Sequence, residues 1–203
     1  MARRSDHTRQ ELEALILKEG SRLMGEVGLA HFSAREVAKR VGYAVGTVMN
    51  VYGSIDGLVM AVNTYTFTLW TQWLEARLEG VSGTGRIDVL IDGYFGFAAA
   101  HPNLWSAIYG HRLPDGMELP EPLAEERGQL MQVVSREVHA ILPPERQEGA
   151  DRLARSLVAT VHGHCSFALG GSFALMGETN PLELARDRVG EILAANGRMG
   201  RAR

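Results

Sequence analysis

Apolar positions recur along this chain at the three- and four-residue spacing of amphipathic helices, and no stretch alternates as a half-buried strand would. From Thr8 to Gly28, Leu12, Leu15, Ile16, Leu23, Met24 and Val27 share one stripe, which predicts a first helix closing at Gly28. The run SAREVAKRVGYAVGTVMNVY, Ser33 to Tyr52, predicts two short helices around a tight glycine turn. Ser33 and Glu36 have the S-x-x-E spacing of a capping box, so the second helix should start just after Ser33. Val37 and Ala38 give it an inward face, Arg35, Lys39 and Arg40 a solvent side, and Gly42 stands where it must stop. The next helix, about Val45 to Val51, is uncharged and carries small or polar tips at Gly46, Thr47 and Asn50. Gly53-Ser54 breaks the chain, and a long helix begins near Asp56 with Leu58, Val59, Val62, Leu69 and Trp73 inward.

The remainder also reads as helices. Residues 80–85 (GVSGTG) form a flexible junction, and Arg86 to Ala100 is apolar nearly all round, which predicts a buried central helix. His101-Pro102 ends it, and Pro102 opens a short helix through Trp105, Ile108 and Tyr109. Three prolines between Leu113 and Pro122 mark a loop. A helix from Leu123 to about Leu142 stops at Pro143-Pro144, and two more run from about Ala150 to Leu175 and from Pro181 to Asn196, ahead of a frayed GRMGRAR tail. Ser156, Ala159, Gly163, Ser166 and Gly170 recur at intervals of 3, 4, 3 and 4, a face of small residues that a second helix can approach closely. Leu182, Ala185, Val189 and Ile192 repeat the spacing on the last helix. Two readings stand: an intrachain core, or a two-fold interface of four helices.

Composition narrows the function. The single cysteine, Cys165, excludes an intrachain disulfide and suits a reducing cytoplasm. No run reaches the roughly 18–20 apolar residues of a membrane helix, and the N-terminus lacks a signal-peptide pattern. Net charge is −3, but residues 1–50 hold eight Lys/Arg against six Asp/Glu, and the rest hold thirteen against eighteen. A mildly basic head on an acidic body fits a protein that touches DNA with one end.

Residues 8 to about 70 resemble the N-terminal domain of the TetR family of transcriptional regulators. The resemblance rests on Thr8-Arg9, Gly28, Ser33, Val37-Ala38, Val41-Gly42, Gly46-Thr47-Val48, Tyr52, Ser54 and Leu58. It implies an all-α fold: a helix-turn-helix domain over 8–55, with the motif at about 33–52, and a helical ligand-binding and dimerisation domain over 56–203. It implies a homodimeric, ligand-responsive repressor of a near-palindromic double-stranded operator. The DNA face would comprise Ser33, Arg35, Val45, Gly46, Thr47, Val48, Met49, Asn50 and Tyr52. Tyr94 to Leu104, with His101-Pro102, and Val161-His162-Gly163 also resemble a subgroup with a His-Gly signature.

Three positions depart from the family pattern: Met49 replaces a backbone-stacking tyrosine, Val51 a histidine, and Ile55 a phosphate-binding lysine. Three consequences stay open. Arg3, Arg4, Arg9 and Arg35 supply the missing charge; or binding is moderate, with Val48 or Met49 on thymine methyls; or the chain is a ligand-binding helical dimer that no longer reads DNA.

Tyr94, Phe97, Trp105, Tyr109, Met131 and Phe167, with polar candidates His101, His162 and His164, suggest a pocket for a small, largely apolar or aromatic effector. Plain core filling is the alternative. His162 and His164 point about 200° apart on a helix and cannot share a metal with Cys165 unaided. Asp88 and Asp92 read as a solvated edge, and no phosphate loop or nucleophile elbow is present. The expectation is no catalytic residue, cofactor, metal or membrane partner.

Overall fold

A computed structural model describes residues 7–198. Among them the chain forms ten α-helices and two short 3-10 turns, with no strand. The helices are α1 (Arg9–Val27), α2 (Ala34–Val41), α3 (Val45–Tyr52), α4 (Ile55–Leu78), α5 (Gly85–Ala100), α6 (Pro102–Gly110), α7 (Glu121–Ile141), α8 (Ala150–Leu169), α9 (Ser172–Leu175) and α10 (Pro181–Arg198). Arg3 and Arg4 lie outside the described residues, as do residues 199–203 of the tail, whose first two residues continue α10.

Contacts divide the chain into two compact units, one reaching Phe67 and including residues 101–126, the other holding 68–100 and everything from Arg127 on. In the first, α1, α2, α3, the start of α4 and α6 share a core of Ile16, Leu23, Met24, Val37, Val48, Leu58, Val62 and Leu104. Three polar links fasten α6 there. Asn103 Nδ2 donates to the Gly25 carbonyl at 2.8 Å, Asn63 Nδ2 to the Ala107 carbonyl at 3.1 Å, and His111 Nε2 meets Asp56 Oδ1 at 3.1 Å.

In the second unit the buried face of α8 (Ala154, Leu157, Val161, Cys165) packs on Ala185 and Val189 of α10 and on α5. Buried Glu137 of α7 accepts from Arg86 of α5 and from Arg136. Hydrogen bonding from Arg86 outweighs burial and holds that carboxyl below its usual range.

Several local expectations change. A capping box does form, but at Thr8 and Glu11, where side chain and backbone bond reciprocally. Ser33 is the N-cap of α2 without a side-chain bond, and Glu36 lies 3.6 and 3.7 Å from Lys39 and Arg40. The helix from Ala150 ends at Leu169 rather than Leu175: Gly170 caps it, and Gly171 takes φ +76°, a left-handed turn that favours glycine. On α4 the deep positions are Trp70 and Leu74, with Leu69 and Trp73 only half-buried.

Two glycines have opposite roles. A Cβ on Gly57 would collide with the Tyr52 carbonyl across the α3–α4 turn, whereas one on Gly46 would meet nothing within 4 Å. Gly57→Ala is expected to cost about 1–3 kcal/mol by overpacking. Gly46→Ala is expected to be neutral or to stabilise by up to about 1 kcal/mol through helix propensity. Urea unfolding followed by circular dichroism compares them, and equal midpoints would contradict this account of the turn.

Candidate nucleic-acid interface and aromatic cluster

Helix α2 ends in a left-handed Gly42 (φ 78°), and the Tyr43 amide donates back to the Ala38 carbonyl at 3.0 Å, the closure that turns the chain into α3. Val48 then fixes how α3 is rolled, since its side chain is 0% exposed among the core residues above. Val48 is therefore a core residue, and the expectation that it contacts a base fails for want of any exposed surface. Tyr52 fixes the far end: its hydroxyl donates to the Glu13 carbonyl at 2.9 Å, and burial pushes its pKa up to about 12. That hydroxyl is committed to the protein.

With Val48 inward, steps of 100° per residue place Gly46 and Asn50 about 160° away on the opposite arc, Thr47 and Met49 at its flanks about 100° away, and Val45 about 60° away. Val45, Gly46 and Asn50 are exposed, while Thr47 and Met49 are half-covered, Met49 packing partly on the core. This surface carries no charge. Ser33 is half-buried at the start of α2, and Arg35 is exposed with no ion pair among the described residues. Arg40, expected on the solvent side, is largely covered and pairs with Glu26 at 2.7 Å. Ile55, 40% exposed, supplies neither charge nor hydrogen bond at the start of α4.

The predicted pocket residues divide between the units. His101, Trp105 and Tyr109 belong to the unit of the helix-turn-helix; Trp105 is buried edge-on to an exposed Tyr109 at 5.2 Å. In the other unit, Trp70 stacks on Phe97 (4.8 Å, 5° between planes) and meets the edge of Tyr94 at 4.7 Å, and Trp73 adds an edge contact to Phe97. The Trp73 indole donates to the Gly93 carbonyl at 3.0 Å. Sequence reasoning passed over Trp70, which anchors this cluster.

His162 joins through its Nδ1, 2.9 Å from the Tyr94 hydroxyl. The neutral tautomer protonated on Nε2 lets Nδ1 accept from Tyr94. Met131 is half-buried on α7. Phe167 is 46% exposed and has Phe173 as ring neighbour, so it stands outside this cluster. His164 uses Nδ1 toward the Thr160 carbonyl at 2.8 Å, and among the described residues no group of His, Cys, Asp or Glu is arranged to hold a metal. A cleft of about 330 Å³ between α5, the end of α7 and α10, lined by Ile87, Ile91, Leu142 and Val189, contains none of the predicted pocket residues. The buried indole N–H of Trp70 has no hydrogen-bond partner among the described residues.

The small-residue stripe of α8 lies about 180° from that helix's buried face by the same geometry, which rules out the intrachain-core reading for it. A Cβ on Gly163 would meet nothing within 4 Å. The stripe expected on α10 is different: Ala185 and Val189 are buried within the chain, leaving Leu184 outward. Asp92 is no solvated edge either, since it accepts from Arg186 of α10 at 2.6 Å.

Residues 16–62 match the family described as bacterial regulatory proteins, tetR family, and residues 88–190 match the tetracyclin repressor-like C-terminal domain. Among solved structures, the chain is similar to a protein of unknown function from Rhodococcus sp. RHA1 (21% identity, TM-score 0.71, covering 97% of this chain and 100% of that one). It is similar to a TetR-family transcriptional regulator from Streptomyces coelicolor (18%, TM-score 0.63, 93% and 99%). The multidrug binding protein EbrR, complexed with imidazole, is a third (19%, TM-score 0.60, 92% and 96%). At these identities the likeness establishes the fold. No curated protein sequence matches the chain. Among the described residues no single helix is long and apolar enough to cross a membrane.

Half-burial makes the charged imidazolium of His162 poorly solvated and lowers its pKa below the usual 6.5. As pH falls through that ordinary value, the unfolded chain binds more protons than the folded one, so stability declines until the folded value is passed. Urea midpoints measured from about pH 7.5 to about pH 5 are expected to fall, and to fall less in His162→Gln. An identical decline in the variant would assign the effect to another group.

Proposed function

The chain belongs to the TetR family of bacterial regulatory proteins, and we propose that it acts in the cytoplasm as a homodimeric repressor released from its operator by a small effector. The observation that carries the reading is the uncharged outward arc of α3, with Gly46 and Asn50 exposed and no side chain over Gly46. A backbone with so small a side chain can come close to base edges, and Asn50 offers the amide that pairs with adenine in a major groove. Thr47 and Met49 flank it, Val45 and Arg35 extend it, and Ser33 lies at the start of α2. Two such helices, one per protomer, suit half-sites one helical turn apart.

Helix-turn-helix and effector domains in this reading span 8–55 and 56–203. Dimerisation uses the open stripe of α8 around Gly163 with the outer side of α10. The exposed Phe167, Leu169, Leu175, Met176 and Leu184 supply the apolar surface that such an interface covers. The effector is small and largely apolar or aromatic, because Trp70, Tyr94 and Phe97 offer ring surface with His162 as a polar handle. Trp70 adds a buried donor that a ligand acceptor can satisfy. Met131 on α7 is a further effector contact by this proposal.

Two experiments test the reading. On a duplex enriched by the wild-type protein from a random pool, Asn50→Ala should lose about 1–3 kcal/mol of preference over unrelated DNA. Arg35→Ala should weaken both DNAs alike and lower the salt slope by about one. If the wild type enriches no duplex, the chain is instead a ligand-binding dimer without operator recognition. Light scattering should give a dimer for the wild type and a monomer for Gly163→Leu, whose added side chain wedges the helices apart; an undisturbed Gly163→Leu dimer places the interface elsewhere.

A further inference from the structure

We propose that the cleft between α5, the end of α7 and α10 is a binding site for a small organic cation with an apolar body, of the alkylammonium class. The site lies within one packed unit, takes in none of the rings around Trp70, and does not depend on whether α3 reads DNA. Its floor is apolar: Ile87 and Ile91 of α5, Leu142 just past α7, and Val189 and Leu193 of α10. At about 330 Å³ it falls at the lower end of the size range of small-molecule pockets. Such pockets are lined mainly by apolar side chains, with a few polar groups to fix orientation.

Charge at the mouth decides the sign of the ligand. Asp88 and Arg186 line the cleft, and an open depression that shares both of them adds Glu183 and Asp187. Arg186 is already engaged within the chain: it donates to Asp92 at 2.6 and 3.0 Å and to Glu183 at 3.2 Å. Arg86 and Arg188, on the same two helices, pair with Glu137 and Glu191. Asp88 and Asp187 are exposed and have no ion pair among the described residues. The rim therefore sets uncompensated carboxylates beside an apolar floor. A molecule with one positive charge on a hydrocarbon body satisfies both, since its charge meets a carboxylate while its body takes apolar surface out of water. An anion meets the same carboxylates with Arg186 already taken.

Gly190 keeps the cleft open. It stands inside α10, where glycine is the least favourable residue after proline, yet a Cβ there would meet nothing within 4 Å. Close helix packing does not account for it, whereas it lines both the cleft and the depression. At 100° per residue, Arg186, Val189, Gly190 and Leu193 lie roughly 120–180° around α10 from Leu184, the outward residue assigned above to the dimer surface. Pairing through that side of α10 leaves the cleft accessible.

The test is equilibrium dialysis of octyltrimethylammonium, 1-octanol and octanoate against the full-length protein. The cation should bind most tightly and octanoate least, and raising salt from about 0.05 M to about 0.3 M should weaken the cation alone. Gly190→Leu, whose side chain enters the open space, should weaken the cation and the alcohol at least roughly tenfold, with helix content kept because leucine is the better helix former. Asp88→Asn, at an exposed position that folding does not depend on, should weaken the cation about threefold and leave the alcohol unchanged, the effect of removing one exposed charge partner. Retention of the cation no greater than that of octanoate overturns the proposal, as does an Asp88→Asn variant that binds the cation as the wild type does. Binding that survives Gly190→Leu and is lost in His162→Gln moves the cation to the aromatic cluster and overturns the cleft as its site. Affinity that falls as the protein is concentrated shows a second copy covering the cleft, and overturns it likewise.

Discussion

The burial of Val48 is the contact on which the reading head depends. Helix α3 has eight residues and no charged side chain, so little else dictates which way it faces. Placing one isopropyl group fully in the core contributes about 1.5–3 kcal/mol and fixes the roll of α3. Tyr52, through the Glu13 carbonyl, then sets its far end against α1. Once both are in place, Gly46 and Asn50 have only the outside to occupy. Gly57 completes the constraint by letting the first turn of α4 approach the Tyr52 carbonyl.

This packing also bears on the three departures from the family pattern. Met49 and Val51 lean on the head's core, and Ile55 is partly exposed but uncharged. Where a phosphate-binding side chain would ordinarily stand, the chain has put hydrophobic cover. Positive charge for DNA must therefore come from positions around α3 rather than on it. Helix α6 belongs to the same packed unit, held by Asn103, Asn63 and His111, so a displacement of α6 is mechanically a displacement of the head.

Most helices were legible in the sequence because they carry a run of apolar positions and a stop of their own: Gly28, Gly42, Gly53, Pro102 and Pro143 all fall at the expected places. Local competition was not. The Ser33–Glu36 spacing looks like a capping box but forms no side-chain cap, and Gly170-Gly171 ends a helix whose apolar pattern runs on. On the 24-residue α4 a small error of phase moved the inward face from Trp70 and Leu74 to Leu69 and Trp73. The pocket residues were the least readable. Their aromatic character is visible in one dimension, but which unit each joins is a tertiary fact, and it parts Trp105 and Tyr109 from Tyr94 and Phe97. The stripe of α8 went the other way: its spacing was plain, and only the orientation of Leu157 and Val161 shows that it faces outward.

The central claim is that the face of α3 opposite Val48 is the one that meets DNA. Photocrosslinking addresses it directly: a photoreactive side chain replaces Asn50 in one variant and Lys18, on the exposed side of α1, in another. Both are irradiated with fragmented genomic DNA of the source organism at about 0.15 M salt, where surface charges more than about 8 Å apart are largely screened. The account predicts covalent adducts from position 50, recovered on a restricted set of fragments, and few or none from position 18. Adducts of equal yield from both positions, or none from position 50, would contradict it.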